Sequence, residues 1–237
     1  MLLIPGFLAG DDSLGIMTRW LRRTGHHTRK AGMRSNIDCS AKAYDLLEER
    51  LETMAESRGE KVAIVGQSRG GTFAKVLANR RPDLVSGIVT LGSPQRYPLA
   101  VHPLVRANVY ALGAIGSLGA PGLFRHTCLW GDCCKSFRDD LLSELPAEVG
   151  YVSIYSRTDG IVDWRACLDE GAVHVEVRAS HCGMAVNAGA YEALAAALAD
   201  FRARGREPGN RRRRGTAARA TQPSGRTAKP SRLSRAA

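Results

Sequence analysis

Ile64-Val65-Gly66-Gln67-Ser68-Arg69-Gly70-Gly71 is an apolar run that breaks into Gly-x-Ser-x-Gly and continues into the helix-forming residues 72–79. In that context the serine occupies a sharp strand-to-helix turn, the nucleophile elbow. Flanking glycines relieve crowding there, and the hydroxyl projects from the sheet edge. The competing reading is a glycine-rich turn with an incidental serine; strand before and helix after weigh against it.

Working outward, strand patterns fall at residues 2–4, 27–31, 62–65, 87–91, 149–155 and 173–177, with helical patterns between them. Alternation of this kind predicts an α/β domain with a mainly parallel sheet of about six strands. One helix is expected over residues 13–23. Another starts near Ser40, with Asp38 and Ser40 as cap candidates and Tyr44, Leu47, Leu51 and Met54 at helical spacing, and ends by Gly59. Leu194, Leu198 and Phe201 give a last helix its apolar stripe. Residues 95–148 break the alternation: they are rich in Gly, Ala, Leu and Pro and lack strong periodicity, which predicts a lid-like or cap-like insertion before the strand at 149–155.

The chain has 237 residues, 44% of them hydrophobic, enough for one sizeable α/β domain over 1–204. Its net charge of +11 suggests nucleic acid until it is mapped. Residues 205–237 hold ten Lys or Arg against Glu207 alone, so +9 sits there and +2 on the body. That segment has almost no large apolar residues and reads as a disordered basic tail, a solubilising extension with nucleic acid or anionic membrane as the alternative partner. No apolar run approaches the roughly 20 residues of a membrane span. The start lacks a basic n-region and carries Pro5 and Gly6, which argues against a signal peptide; a strand beginning at residue 1 raises an upstream start as the alternative. Cytoplasmic, reduced thiols are the expectation. Six cysteines, at 39, 128, 133, 134, 167 and 182, show neither Cys-x-x-Cys nor paired histidines, so their spacing predicts no zinc site; a local bridge from Cys128 to Cys133 or Cys134 is the expected alternative. No cofactor or metal is called for.

A serine hydroxyl needs a general base and an acid to orient that base, and the elbow architecture orders them serine, acid, histidine. His174 alternates with Val173 and Val175, a mid-strand pattern. His181 follows that strand in a loop at the elbow's edge of the sheet and is the better base. Asp159, just past the strand at 149–155, is the candidate acid, with Asp163 the runner-up.

Together, Ile4-Pro5-Gly6-Phe7, Gly66-Gln67-Ser68-Arg69-Gly70, Thr90-Leu91-Gly92-Ser93-Pro94, Ser153-Ile154-Tyr155-Ser156 with Asp159-Gly160, and Ser180-His181 resemble the α/β-hydrolase superfamily. Within it they are similar to small bacterial, especially actinobacterial, lipases and esterases, over about residues 1–202. The resemblance implies a three-layer fold, Ser68 as nucleophile, Asp159 as acid, His181 as base and an oxyanion hole from the N–H groups of Phe7 and Arg69. It departs from the usual His-Gly of the oxyanion loop with Pro5-Gly6, and Arg69 adds a charge beside the serine. The implied activity is ester hydrolysis on a small acyl or lipid ester. Acyl transfer, thioester cleavage, or a non-catalytic module with a nucleic-acid-binding or membrane-binding tail are the alternatives.

Overall fold

Why the strands stack as they do follows from their apolar alternation. In the computed structural model, which describes residues 1–206, β1 (Leu2–Ile4), β2 (Arg29–Lys30), β3 (Val62–Gln67), β4 (Val85–Leu91), β5 (Gly150–Tyr155) and β6 (Val173–Glu176) form one sheet in the order β2-β1-β3-β4-β5-β6, every pairing parallel. Adjacent residues face opposite sides. Leu2, Ile4, Ile64 and Ile88 point to one face, where they meet α2 (Ser40–Arg58), α3 (Arg69–Arg80) and α6 (Lys135–Leu142). Leu3, Val65, Val89 and Ile154 point to the other, against α1 (Gly15–Arg23) and α7 (Ala188–Arg206). Helices on both faces make a three-layer α/β domain, and Met1–Arg202 is one compact unit. The predicted basic tail lies, apart from its first two residues, outside the described residues.

Two expectations are refined. The strand expected at residues 27–31 pairs only at Arg29–Lys30, because its polar, exposed side chains leave it an edge remnant. The insertion at 95–148, expected without strong periodicity, holds α4 (Pro103–Ser117), α5 (His126–Trp130) and α6. Small residues on α4 blur its stripe, which hid a 15-residue helix. Within this insertion α6 belongs to the core: Phe137 and Leu141 are buried, and the Phe137 ring lies 5.1 Å from that of Phe73.

β1 and β3 are neighbours although the chain makes β2 between them, so the winding reverses at their junction. In open parallel sheets, ligands bind at the carboxyl ends of the strands where this reversal opens a crevice. Pro5-Gly6-Phe7 leaves β1 there, and Ser68 leaves β3 there.

Candidate active site

Ser68 sits between β3 and α3 with φ 52° and ψ −123°, a left-handed backbone unusual for a residue with a side chain. Its N–H donates to the Leu91 carbonyl at 2.8 Å, which ties the turn to β4. Gly66 and Gly70 make the turn possible: a Cβ on Gly66 would lie 2.4 Å from the Gly70 oxygen, and one on Gly70 would lie 2.2 Å from the Ile4 oxygen. Beyond β1, Gly6 packs directly against Ser68, with room for no more than a Cβ 3.1 Å from the serine Cβ. Arg69 opens α3, so its N–H is among those a helix leaves without an intrahelical acceptor. Phe7 stands in the turn that the Ala9 N–H closes onto the Gly6 carbonyl at 3.2 Å.

The other two polar candidates come from the far side of β4. Asp159 follows β5; its Oδ1 accepts from the N–H groups of Ile161 (2.8 Å) and Val162 (2.9 Å), and its Oδ2 meets His181 Nδ1 at 2.7 Å. The carboxylate is 1% exposed and the imidazole 8%, so the pair is shielded from competing water. Asp163 does not reach the histidine. It caps the short turn Trp164–Cys167 through the Arg165 N–H at 3.0 Å and is about half exposed. His174 is exposed on edge strand β6. Between the serine turn and the Asp–His pair lies Gly92, at φ 54°, whose N–H donates to the Ile154 carbonyl at 2.9 Å. A Cβ there would sit 3.0 Å from Asp159 Oδ2 and 3.2 Å from His181 Nδ1, so only glycine lets β4 end so close to both groups.

No protein-family model matches the sequence. Solved structures do: the α/β-hydrolase domain-containing protein 10 of mouse matches with a TM-score of 0.55 at 15% identity, over 84% of this chain and 88% of its own. The mature lipase BlEst2 of Bacillus licheniformis reaches 0.62 at 14% identity, over 84% and 90% respectively. The fold is that of the α/β-hydrolases. A monoacylglycerol lipase of Paleococcus ferrophilus shares the α/β-hydrolase fold at TM-score 0.53 and 15% identity, over 86% of this chain and 93% of that one. In sequence, a triacylglycerol lipase of Vibrio cholerae is 29% identical over 116 residues, which is 49% of this chain and 36% of that relative. The matched stretch thus spans about a third of the relative's length.

The candidate site in this fold also draws in residues that sequence reasoning passed over. Gln67, buried at the end of β3, donates from Nε2 to the His181 carbonyl at 3.1 Å and so joins the serine turn to the histidine loop. The Arg69 side chain, unexplained by the motif, donates to the carbonyls of Asn36 and Asp38, both at 2.7 Å, and to Ser40 Oγ at 3.1 Å. It stacks 5.3 Å from the Phe73 ring and 5.8 Å from that of Phe124, and burial pulls its pKa down to about 10. Asn36 in turn donates from Nδ2 to the Pro5 carbonyl at 2.7 Å. One chain of contacts therefore runs from the residue after Ser68 to the loop bearing Phe7. The only sequence hint was Arg69 itself, a charge beside an apolar turn.

The cysteines lie closer together than their spacing along the chain suggests. Their spacing predicts no zinc pattern, yet the structure gathers Cys39, Cys128, Cys133 and Cys134, with all four sulfurs within 4.8 Å of one another. Cys39 arrives from the start of α2, about 90 residues upstream, so spacing along the chain gives no sign of the cluster. The alternative of a local bridge is not formed: Cys128, Cys133 and Cys134 are free thiols, the sulfurs of Cys128 and Cys133 being 3.4 Å apart. Among the described residues, no helix is long and apolar enough to cross a membrane.

Proposed function

We propose that the protein is a serine hydrolase that cleaves carboxylic esters through an acyl-enzyme on Ser68. The observation that carries this reading is the shielded 2.7 Å contact between Asp159 and His181, held at the same sheet edge as the strained Ser68 turn. In this mechanism Ser68 Oγ attacks the ester carbonyl carbon while His181 Nε2 takes the hydroxyl proton. Asp159 accepts from Nδ1–H and fixes the tautomer that leaves Nε2 free. The carbonyl oxygen becomes an alkoxide held by the N–H groups of Phe7 and Arg69, each worth about 100- to 1,000-fold in rate. Collapse expels the alcohol, which receives the proton from His181. Water then repeats the sequence on the acyl-enzyme and frees the acid.

The substrate reading is an ester with an apolar acyl chain, and α4 with α5 forms its cover. Support comes from how this segment is tethered. The His102 N–H donates to the Ile161 carbonyl at 2.7 Å, beside Asp159, and the Phe124 ring stands 6.4 Å from that of Phe7. Between these anchors Leu104, Ile115 and Leu118 are exposed, as is Trp130 at the end of α5, an apolar surface that an acyl chain would cover. Ser68→Ala should abolish hydrolysis of p-nitrophenyl esters and labelling by a fluorophosphonate, with the circular dichroism unchanged. Undiminished turnover in that variant would sink the reading.

A further inference from the structure

We propose that Cys39, Cys128, Cys133 and Cys134 form a tetrathiolate zinc site that fastens the α5–α6 segment to the start of α2. The sulfurs of Cys39 and Cys134 are 3.5 Å apart, those of Cys128 and Cys133 3.4 Å, those of Cys133 and Cys134 3.6 Å, and no pair exceeds 4.8 Å. A tetrahedron with metal–sulfur bonds of about 2.3 Å has edges of about 3.8 Å, so the four atoms already lie near its corners. Four sulfurs and no oxygen donor select zinc among the common divalent ions, and a closed set of four protein ligands with no open position is a structural site rather than a catalytic one.

The surroundings suit the charge such a site carries. Zinc with four thiolates has a net charge of −2, and binding releases the thiol protons to solvent. The first-turn N–H groups of Ala41 and Lys42 lie against Cys39 Sγ, and that of Ala41 also lies against Cys134 Sγ. They bring the positive end of the 19-residue helix α2 to the sulfurs. The Arg69 guanidinium adds a full positive charge: its three hydrogen-bond acceptors are all neutral, and once deprotonated by the metal the sulfurs of Cys134, Cys39 and Cys128 attract it. A buried cation with only neutral acceptors is costly, and an anionic cluster beside it removes that cost. Two disulfides would leave the guanidinium without that partner.

The position gives the site its role. It joins the loop that Arg69 and Asn36 hold against the β1 turn to α5, the far end of the proposed cover, and to the turn that leads into α6, so the metal holds that end of the cover at a fixed height over the sheet edge.

Metal content decides the matter. The full chain, produced without a metal-affinity tag in zinc-supplemented medium and dialysed against a weak chelator, should retain one zinc per chain by plasma mass spectrometry. Cys133→Ser should lose it, and Cys182→Ser, outside the cluster, should keep it. If Cys133→Ser does not fold, cobalt exchanged into the unaltered protein gives the answer, by the intense visible bands and sulfur-to-metal charge transfer of tetrahedral thiolate cobalt. Iron in place of zinc overturns the assignment. So does metal-free protein in which all six cysteines titrate under denaturing conditions, or in which only Cys167 and Cys182 titrate and the intact mass is short by four hydrogens.

Discussion

At the scale of single residues, the two candidate acids differ by what their oxygens touch. Asp159→Asn should lower kcat for ester hydrolysis by about 10^4-fold, because an amide facing Nδ1 favours the wrong imidazole tautomer. Asp163→Asn, at an exposed cap, should leave kcat within about threefold and cost about 1 kcal/mol at most, read by urea denaturation. Arg69 acts at a distance. Arg69→Met strands the carbonyls of Asn36 and Asp38 and should destabilise the fold by about 2 kcal/mol or more. Through Asn36 and Pro5 it also loosens the Phe7 turn, so kcat should fall on the order of 100-fold with KM changing less. Arg69→Lys should recover little, since one ammonium cannot span two carbonyls as the guanidinium fork does. Ser68, Asp159 and His181 could be named as candidates from sequence because the chain order of an elbow is restrictive and loop ends are marked by Gly and Pro. Asn36 and Gln67 could not. A buried amide makes its bonds to backbone groups of remote segments, and composition carries no trace of those partners.

Among the elements, the insertion divides into parts of different character. Phe137→Ala on α6 removes a ring packed against Phe73 and should cost about 3 to 5 kcal/mol in chemical denaturation. Leu118→Ser, at 89% exposed, should change stability by less than about 0.5 kcal/mol. On the proposed function it should instead lower the ratio of long-chain to short-chain ester turnover, compared on a p-nitrophenyl ester series. Sequence pattern separated these parts poorly. The run 111–120 mixes Ala, Gly and Leu, whose spacing fits a helix, a loop or a buried strand equally well, whereas β3 and β4 stand out as β-branched runs bounded by turn residues. The two-residue β2 has no apolar face to betray it.

On the whole-molecule scale, one ion pair links the two halves of the sheet. Lys75 on α3 pairs with Asp169, in the connection between β5 and β6, and both side chains are largely buried. Lys75→Met should destabilise by about 3 to 5 kcal/mol, because it leaves a carboxylate buried without its partner; Lys75→Met with Asp169→Leu should recover most of that loss in thermal melts. The parallel six-stranded plan was legible because buried strands separated by helices leave few right-handed windings. The cysteine cluster was not, since its four corners depend on the tertiary path that brings residue 39 beside residue 134. That path also bears on synthesis. After β2 settles beside β1, β3 takes the free side of β1, and β4, β5 and β6 each take the free side of the strand made just before. No strand has to be threaded between two that are already paired. A ribosome can therefore lay this sheet down in one direction, like courses of brick, with the four-residue β6 as the closing course.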